Sequence, residues 1–375
     1  MKPRIYLDYN ASTPLDPRIA SEMTEKMSVF GNPSSVHAEG REARALVDEA
    51  RINVARLLNC DHRQILFTSG GTEANNLAIL GTARANQERG KHIITSAIEH
   101  SSVKNACQEL SREGYKITYI DPLSNGVIDS NDVASAMRSD TILITIMLAN
   151  NEIGTIQPIQ QICSLAKARG IPVHTDAVQA VGKIPVDVEA LGCDLLSISA
   201  HKIYGPKGVG ALYYSESISL APLMRGGSHE KGLRAGTENV AGIHALGLAA
   251  KLLVEEGLPE LLPLRQKLEA GLAQTSVKIL CEDAPRLPNT VNFHAPNWPD
   301  ESLVMAFDLE GIAVSNGSAC SAGVIEPSHV ISALGYNDLI ARSVIRVSLG
   351  KFTKPEEIDV LLRVIHGLEG GGVGL

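Results

Sequence analysis

Short apolar runs alternate along the chain with longer stretches in which apolar residues recur at helical spacing. The runs QILFTS, HIITSA, KITYI, TILITIML, IPVHTD and DLLSIS are rich in β-branched residues and predict strands. The stretches EGREARALVDEARINVARLLN and GTEANNLAILGTARANQERG predict helices. TILITIML is apolar at nearly every position, which is typical of a strand covered by helices on both faces. The pattern therefore indicates an α/β sheet.

The pattern changes after the middle of the chain. Two helical stretches, TENVAGIHALGLAAKLLVEEG and LPELLPLRQKLEAGLAQ, lead into a smaller set of strands and helices. A chain of 375 residues is too long for one compact core, so we expect two domains. We place a large domain at residues 1–255 and a small one at 256–375, with the N-terminal arm packed on the small domain. The terminal GLEGGGVGL is expected to fray.

Charge and cysteine content narrow the classes of function. The net charge is −8 and no basic run occurs, which argues against nucleic acid and a membrane surface as partners. No apolar run is long enough to span a bilayer, and none precedes a cleavage site, so we expect a cytoplasmic protein. The six cysteines include no C-x-x-C pair, which fits a reducing compartment and predicts no metal site.

One cysteine has an unusual setting. Cys320 lies in SNGSACSAG, among small residues that cannot bury it. Because free cysteine is among the most buried residue types, this setting suggests a thiol that other molecules reach. A poorly packed loop cysteine is the alternative reading of the stretch taken alone.

Polar residues follow the predicted strands, where open α/β sheets bind their ligands. In FTSGGTEAN a strand ends, two glycines follow and a helix begins near Thr72, which makes an anion cradle, although Gly-Gly turns also cap helices without ligands. The other residues of this kind are His100, Asn150, Asn151, Glu152, Asp176, Gln179, Ser199, His201 and Lys202. Asp176 needs a cationic partner or donors if it is buried. Lys202, beside small residues, suits a Schiff base, although a lysine on a turn is more often a surface residue.

A lysine for a Schiff base, an aspartate for a pyridinium nitrogen and a Gly-Thr helix start for a phosphate are the groups that pyridoxal 5′-phosphate requires. At this point the chain resembles the cysteine desulfurases of the NifS/IscS group, within the class V aminotransferases. The matching stretches are YLDYNASTPLDP, GNPSSVHAEGREAR, FTSGGTEANN, NNEIGTIQPI, HTDAVQAVGK, SAHKIYGPKGVGALY, RAGTENV, GSACSAG and RSVIRVSLG. The resemblance covers nearly the whole chain.

The resemblance implies a fold and a cofactor site. The fold would be fold type I of the transferases that use pyridoxal phosphate, like aspartate aminotransferase, with a mostly parallel seven-stranded sheet and a smaller C-terminal α+β domain. Lys202 matches the Schiff-base lysine, His100 the histidine stacked on the ring, and Asp176 the partner of the ring nitrogen. Gln179 matches the donor to the phenolic oxygen, and Gly71, Thr72, Ser199 and His201 match the phosphate cradle. Thr237 matches a hydroxyl that the second subunit of a homodimer supplies.

The resemblance also implies a reaction. Asn151 and Arg346 match the groups that hold the substrate carboxylate, and Cys320 matches the catalytic cysteine. The Cys320 thiolate would take the sulfur of L-cysteine, leave L-alanine, and pass the persulfide to an acceptor or scaffold protein for iron–sulfur clusters, tRNA thiolation or another thio-cofactor. Cys320 could also serve as a transient iron–sulfur ligand. The short C-terminus puts docking of an IscU-like scaffold in doubt.

Three other functions stay open at this point. A selenocysteine lyase or another class V aminotransferase would share the cofactor residues, but a transaminase needs no thiol at Cys320. A sulfur-transfer scaffold without turnover would not need the cofactor residues, all of which are present.

Overall fold

We describe a computed structural model of the chain, which covers residues 4–296, 303–316 and 327–369. The strands in these ranges are β1 (Ile5–Tyr6), β2 (Ile65–Thr68), β3 (His92–Ser96), β4 (Lys116–Ile120), β5 (Thr141–Thr145), β6 (Val173–Asp176), β7 (Leu195–Ser199), β8 (Gly210–Tyr214), β9 (Lys278–Ile279), β10 (Thr290–His294), β11 (Ile312–Ala313) and β12 (Val344–Ser348). The helices are α1 (Pro17–Lys26), α2 (Ala38–Leu58), α3 (Gly71–Asn76), α4 (Thr82–Ala85), α5 (Ser101–Arg112), α6 (Ser130–Ala136), α7 (Ile159–Lys167), α8 (Val188–Leu191), α9 (Val240–Glu256), α10 (Leu262–Leu272), α11 (Leu303–Leu309), α12 (His329–Ala333), α13 (Asp338–Ser343) and α14 (Pro355–Glu369).

The main sheet has seven strands in the order β2-β8-β7-β6-β5-β3-β4. Strands β7, β6, β5, β3 and β4 pair in parallel, whereas β8 is antiparallel to both of its neighbours, β7 and β2. The six strand runs read from the sequence form β2 to β7. The predicted fold class, an α/β fold type I with a mostly parallel seven-stranded sheet, is therefore confirmed. The strand runs did not include β8.

Helices cover both faces of this sheet. Ile65 and Phe67 of β2 belong to one buried cluster, and Leu66 between them belongs to another on the opposite face. This follows from the period of two along a strand, and it explains why the β2 run ILF is apolar at successive positions. The first cluster includes side chains of α2, α7 and α9, and the second includes side chains of α3 and α5.

One predicted helix is shorter than expected. The stretch at residues 71–90 was predicted as a single helix, but it consists of α3, a π-helical turn at Leu77–Gly81, and α4, which ends at Ala85. The residues that follow, NQERG, form turns. Because polar helix formers such as Gln and Glu sit there without an apolar face to bury, periodicity overestimated the helix length.

A smaller sheet lies in the C-terminal part of the chain. It has the order β12-β10-β9, all antiparallel, and a third buried cluster joins it to α10, α11 and α14. Near the N-terminus, β1 pairs in parallel with β11, and Leu7 is buried in this same cluster. The domain limits at residue 255 stay a prediction.

Among the described residues, no helix combines the length with the apolar character that crossing a membrane requires.

Candidate active site

A cavity of about 590 Å³ opens where the parallel strands end. Its wall includes ten of the residues that the sequence predicts for the site: Gly71, Thr72, His100, Asn151, Asp176, Gln179, Ser199, His201, Lys202 and Arg346. Asp176 and Ser199 are the last residues of β6 and β7. Adjacent parallel strands bring their carboxyl ends to one edge, so residues far apart in sequence meet there.

Lys202 lies on a 3-10 turn directly after β7. Its Nζ donates to the backbone carbonyls of Asn10 at 2.5 Å and Ala11 at 2.9 Å. Both carbonyls belong to the segment that follows β1, which therefore closes the cavity beside the lysine. These contacts hold the Lys202 amine at the cavity, where it can reach the aldehyde group of a bound cofactor.

In the described part of the chain, the hydrogen bonds to the Asp176 carboxylate come from neutral donors. Oδ2 accepts from Asn75 Nδ2 at 2.6 Å, and Oδ1 accepts from the backbone N–H of Val178 at 2.9 Å. The residue is 6% exposed, and a buried carboxylate is costly unless a positive charge balances it. A protonated pyridine nitrogen is such a charge, so this carboxylate fits the ring of pyridoxal phosphate.

His100 caps the N-terminus of α5. Its Nδ1 accepts the Ser102 backbone N–H at 3.1 Å and lies 2.7 Å from Ser102 Oγ. Burial lowers the pKa of His100, the charge of Asp176 opposes this shift, and the charge of Lys202 adds to it. We therefore assign a neutral ring that carries its proton on Nε2, because Nδ1 is used as an acceptor.

The residues predicted for the phosphate cradle lie around the start of α3. A Cβ on Gly71 would lie 2.8 Å from Val178 Cγ2, so any larger residue at this turn would displace Val178. His201 Nδ1 lies 3.2 Å from Ser12 Oγ. Burial, followed by the charges of Lys202, Lys207 and Lys183, lowers the pKa of His201 to about 4. His201 is therefore a neutral hydrogen-bonding group in this cradle.

Arg346, on β12, is 2% exposed and reaches the cavity with its guanidinium group already partly engaged. Nη2 donates to Asp8 Oδ1 at 2.7 Å, and Nη1 donates to the backbone carbonyl of Asn151 at 3.1 Å. Nε is buried and has no hydrogen-bond partner among the described residues. Arg346 lines the cavity, which fits its predicted role in holding a substrate carboxylate.

Two predicted residues are not in the cavity wall of the described chain. Thr237 is exposed, in the loop before α9, and does not line the cavity. Cys320 lies in residues 317–326, outside the described residues. The residues that follow this stretch, Pro327, Ser328 and His329, do line the cavity.

The structure also adds residues that sequence reasoning did not single out for the site. Asn75 could have been found, since it lies three residues after Thr72 on the same face of α3. Asn10 lines the cavity, and its amide donates to Thr290 Oγ1 at 2.9 Å. It belongs to the matched stretch YLDYNASTPLDP, but nothing in that stretch indicates this position. Ser328 and His329 carried no sequence signal at all.

The polar residues after β5 have separate roles. Asn150 is structural, because its amide donates to the Ile98 carbonyl at 2.9 Å and its Oδ1 accepts the Glu152 N–H at 2.8 Å. Glu152 lines the cavity and accepts from Ser328 Oγ at 2.5 Å. Burial raises the pKa of Glu152, so its carboxyl group is held towards the neutral form.

Together, the sheet, the cavity at its carboxyl edge and the Lys202 and Asp176 pair define a transferase of fold type I that depends on pyridoxal phosphate. The chain belongs to the class V aminotransferase family, whose model matches residues 5–361.

Relatives and solved structures agree with this assignment. The chain is 47% identical over 378 residues to the cysteine desulfurase IscS of Dictyoglomus turgidum, covering 98% of this chain and 96% of that protein. It is 48% identical to the cysteine desulfurase IscS of Aeromonas salmonicida, covering 98% of this chain and 93% of that protein. A NifS-like protein structure superposes with a TM-score of 0.92 at 37% identity, covering 98% of this chain and 100% of that one. SspA in complex with cysteine superposes with a TM-score of 0.83 at 38% identity, covering 93% of this chain and 100% of that one.

Proposed function

We propose that the protein is a cysteine desulfurase, which converts L-cysteine to L-alanine and keeps the removed sulfur as a persulfide on Cys320. The proposal depends on one observation: Lys202, Asp176 and Arg346 line the same cavity. Residues 327–329, which follow the stretch that contains Cys320, also line it. The names of the IscS relatives and of the SspA–cysteine complex support the choice of substrate.

Pyridoxal phosphate, when bound, withdraws electrons from the carbons of an attached amino acid. Asp176 would hold the ring nitrogen protonated, and His100 would lie against the ring. Gly71, Thr72, Ser199 and His201 would bind the phosphate. Lys202 would bind the cofactor covalently and, once the amino acid displaces it, its Nζ would take the proton from the substrate α-carbon.

Arg346 and Asn151 would orient the substrate. Arg346 is buried, so its interaction with a carboxylate is stronger than that of an exposed arginine. Asp8 fixes the plane of the guanidinium group before substrate arrives. Holding the substrate carboxylate in this way would direct the substrate side chain towards the cysteine that takes its sulfur.

The cysteines in the described part of the chain are poor candidates for the thiol that takes the substrate sulfur. Burial raises the pKa values of Cys60, Cys107, Cys163 and Cys281 to about 12, so these thiols stay protonated at neutral pH. Cys193 is shifted in the same direction by burial. This leaves Cys320 as the thiol whose sequence setting suits a nucleophile.

In the step that we assign to Cys320, its thiolate attacks the substrate sulfur. A sulfur–sulfur bond forms and the carbon–sulfur bond of the substrate breaks. The electron pair of the broken bond stays on the carbon, which a proton then completes to the methyl group of alanine. A second transfer delivers the sulfur to an acceptor protein, in the cytoplasm and without direct contact with nucleic acid or membrane.

The active form would be a homodimer, because Thr237 does not line the cavity of its own chain and is exposed for a partner. The acceptor could serve iron–sulfur cluster assembly, tRNA thiolation or another thio-cofactor, and Cys320 could transiently ligate an iron–sulfur cluster.

The central experiment replaces the proposed nucleophile. Cys320→Ala should still bind the cofactor and show an absorbance change with L-cysteine, because the residues of the cavity are intact. Alanine and sulfide production should fall by about a factor of 1,000 or more, as when a covalent catalyst is removed. Cys60→Ala is the matched control, since Cys60 is half-buried with a raised pKa, and it should keep the parent rate.

Selenocysteine separates the alternatives. A selenocysteine lyase would retain activity on selenocysteine in Cys320→Ala and show little activity on L-cysteine in the parent protein. A class V aminotransferase would form a keto acid and no sulfide. Parent-rate sulfide release by Cys320→Ala would overturn the desulfurase mechanism.

The cofactor linkage has its own test. Borohydride reduction followed by peptide mapping should place the cofactor on Lys202. Lys183 is buried and Lys207 is exposed, so both serve as internal comparisons in the same digest. An adduct on either of them would show that the lysine is wrongly assigned.

A further inference from the structure

Lys183 is a buried lysine close to the cavity, and the proposed reaction gives it no role. It is 7% exposed and does not line the cavity. Gly182, which precedes it, has φ +80°. This left-handed turn brings the Lys183 side chain into contact with Gln179, four residues earlier. Lys183 Nζ donates to the Gln179 backbone carbonyl at 2.9 Å and to Gln179 Oε1 at 2.6 Å.

The surroundings of Lys183 are basic. Burial, followed by the charges of Lys202 and Arg346, lowers the pKa of Lys183 well below its usual range. Lys183 in turn acts on His201. No carboxylate pairs with Lys183 among the residues that the structure describes. A neutral amine has two hydrogens to donate, and these match the two acceptors on Gln179.

These contacts determine which end of the Gln179 amide faces the cavity. Oε1 is occupied by Lys183, and Nε2 donates to the Asn10 carbonyl at 2.9 Å. The same carbonyl accepts from Lys202 at 2.5 Å, so Gln179 and Lys202 lie beside each other. Since an amide nitrogen carries two hydrogens, one of them remains for a ligand in the cavity that Gln179 lines.

We propose that Lys183 is a positioning residue, which holds the Gln179 amide so that its N–H, and not its carbonyl oxygen, is presented to the anionic phenolic oxygen of the cofactor. This inference rests on the cofactor assignment in the proposed function, but not on the desulfurase reaction. The four-residue spacing and the Gly182 turn make the contact local, so it forms whenever this turn folds.

The readout is the pH titration of the visible absorbance of the bound cofactor. A donor to the phenolic oxygen favours its ionised form, so losing that donor makes proton uptake by the bound cofactor easier. In Lys183→Met the midpoint should therefore rise by about one pH unit, the size expected for one hydrogen bond to a charged group. Gln179→Ala should raise it by a similar amount.

The double variant distinguishes positioning from charge. If Lys183 acts through Gln179, adding Lys183→Met to Gln179→Ala produces no further shift. If it acts only as a charge, the two shifts add, and the proposal is wrong. Lys207→Met is the matched control, because Lys207 also acts electrostatically on His201 but is exposed, and its midpoint should equal that of the parent protein.

An unchanged midpoint in Lys183→Met would also overturn the proposal. Should that variant fail to retain the cofactor, Lys183→Ala titrated with and without Gln179→Ala carries the same test of additivity. The titration requires bound cofactor but no turnover, so a negative desulfurase assay leaves it interpretable.

Discussion

The Arg346 guanidinium group and the Asp8 carboxylate form an ion pair of 2.7 Å across the cavity wall, although they are 338 residues apart in the chain. The pair joins β12 to the segment after β1, and the backbone of Asp8 also bridges to Ser348. Asp8 thereby partly neutralises a buried cation and leaves its orientation fixed for a ligand.

From this pair we predict the effect of Arg346→Lys. The variant keeps the positive charge but loses the planar fork, so it cannot contact Asp8, Asn151 and a substrate carboxylate together. The KM for L-cysteine should rise about 10- to 100-fold, with a smaller change in kcat. Arg342→Lys, an exposed change on α13, should leave both constants unchanged in the same steady-state assay.

The neutral state of His100 predicts the acid side of the activity profile. Burial lowers the pKa of His100 below its ordinary value of 6.5, so the ring is still neutral at pH 6.5 and takes up a proton only at lower pH. The acid limb of kcat/KM that reports this group should lie below pH 6.5 and should disappear in His100→Gln. An unchanged limb in His100→Gln would assign it to another group, and His62→Gln, an exposed change, is the control.

Glu99 predicts a pH dependence of stability. Burial raises the pKa of Glu99 from 4.5 to about 8. Its Oε1 accepts from Ser96 Oγ at 2.5 Å and from the Met147 N–H at 3.0 Å, whereas Oε2 has no partner in the described part of the chain. Above pH 4.5 the unfolded carboxyl ionises while the folded one stays protonated, so this group destabilises the fold progressively up to about pH 8.

Glu99→Gln cannot ionise in either state, so it should remove this loss. The free energy of unfolding should match that of the parent near pH 4.5 and exceed it by about 2 to 4 kcal/mol at pH 8. Urea denaturation of the holoprotein at several pH values measures the difference. Glu109→Gln, at an exposed position on α5, should follow the parent curve throughout. Parallel curves for Glu99→Gln and parent would refute the raised pKa.

The shared site predicts complementation between two inactive chains. Lys202→Ala removes the covalent lysine, and Thr237→Ala removes the hydroxyl that we assign to the partner's cradle. In a mixed dimer, one site combines the intact Lys202 of one chain with the intact Thr237 of the other. Mixing should therefore restore part of the activity, up to one working site per mixed dimer. If mass spectrometry shows mixed dimers and no activity returns, the cradle is not shared.

Six of the seven strands of the main sheet, and the edge at which the candidate site lies, could be predicted from the sequence. The runs that became β2 and β5 are apolar at nearly every position because both of their faces are buried, and that composition is local information. Asp176, Ser199 and Lys202 could be assigned to one site because each lies at or just after the carboxyl end of a strand, where parallel strands converge. The motifs then predicted the family that the comparisons support.

Long-range packing, which no local pattern encodes, sets which side chains complete the site and which protonation states buried groups adopt. The Asp8–Arg346 pair and the Ser328–Glu152 contact join residues far apart in the chain, and no local pattern encodes their distance. The neutral state of Glu99 results from burial, which depends on how all neighbouring elements pack. The antiparallel direction of β8 likewise depends on pairing with β2 and β7, because strand propensity carries no information about direction.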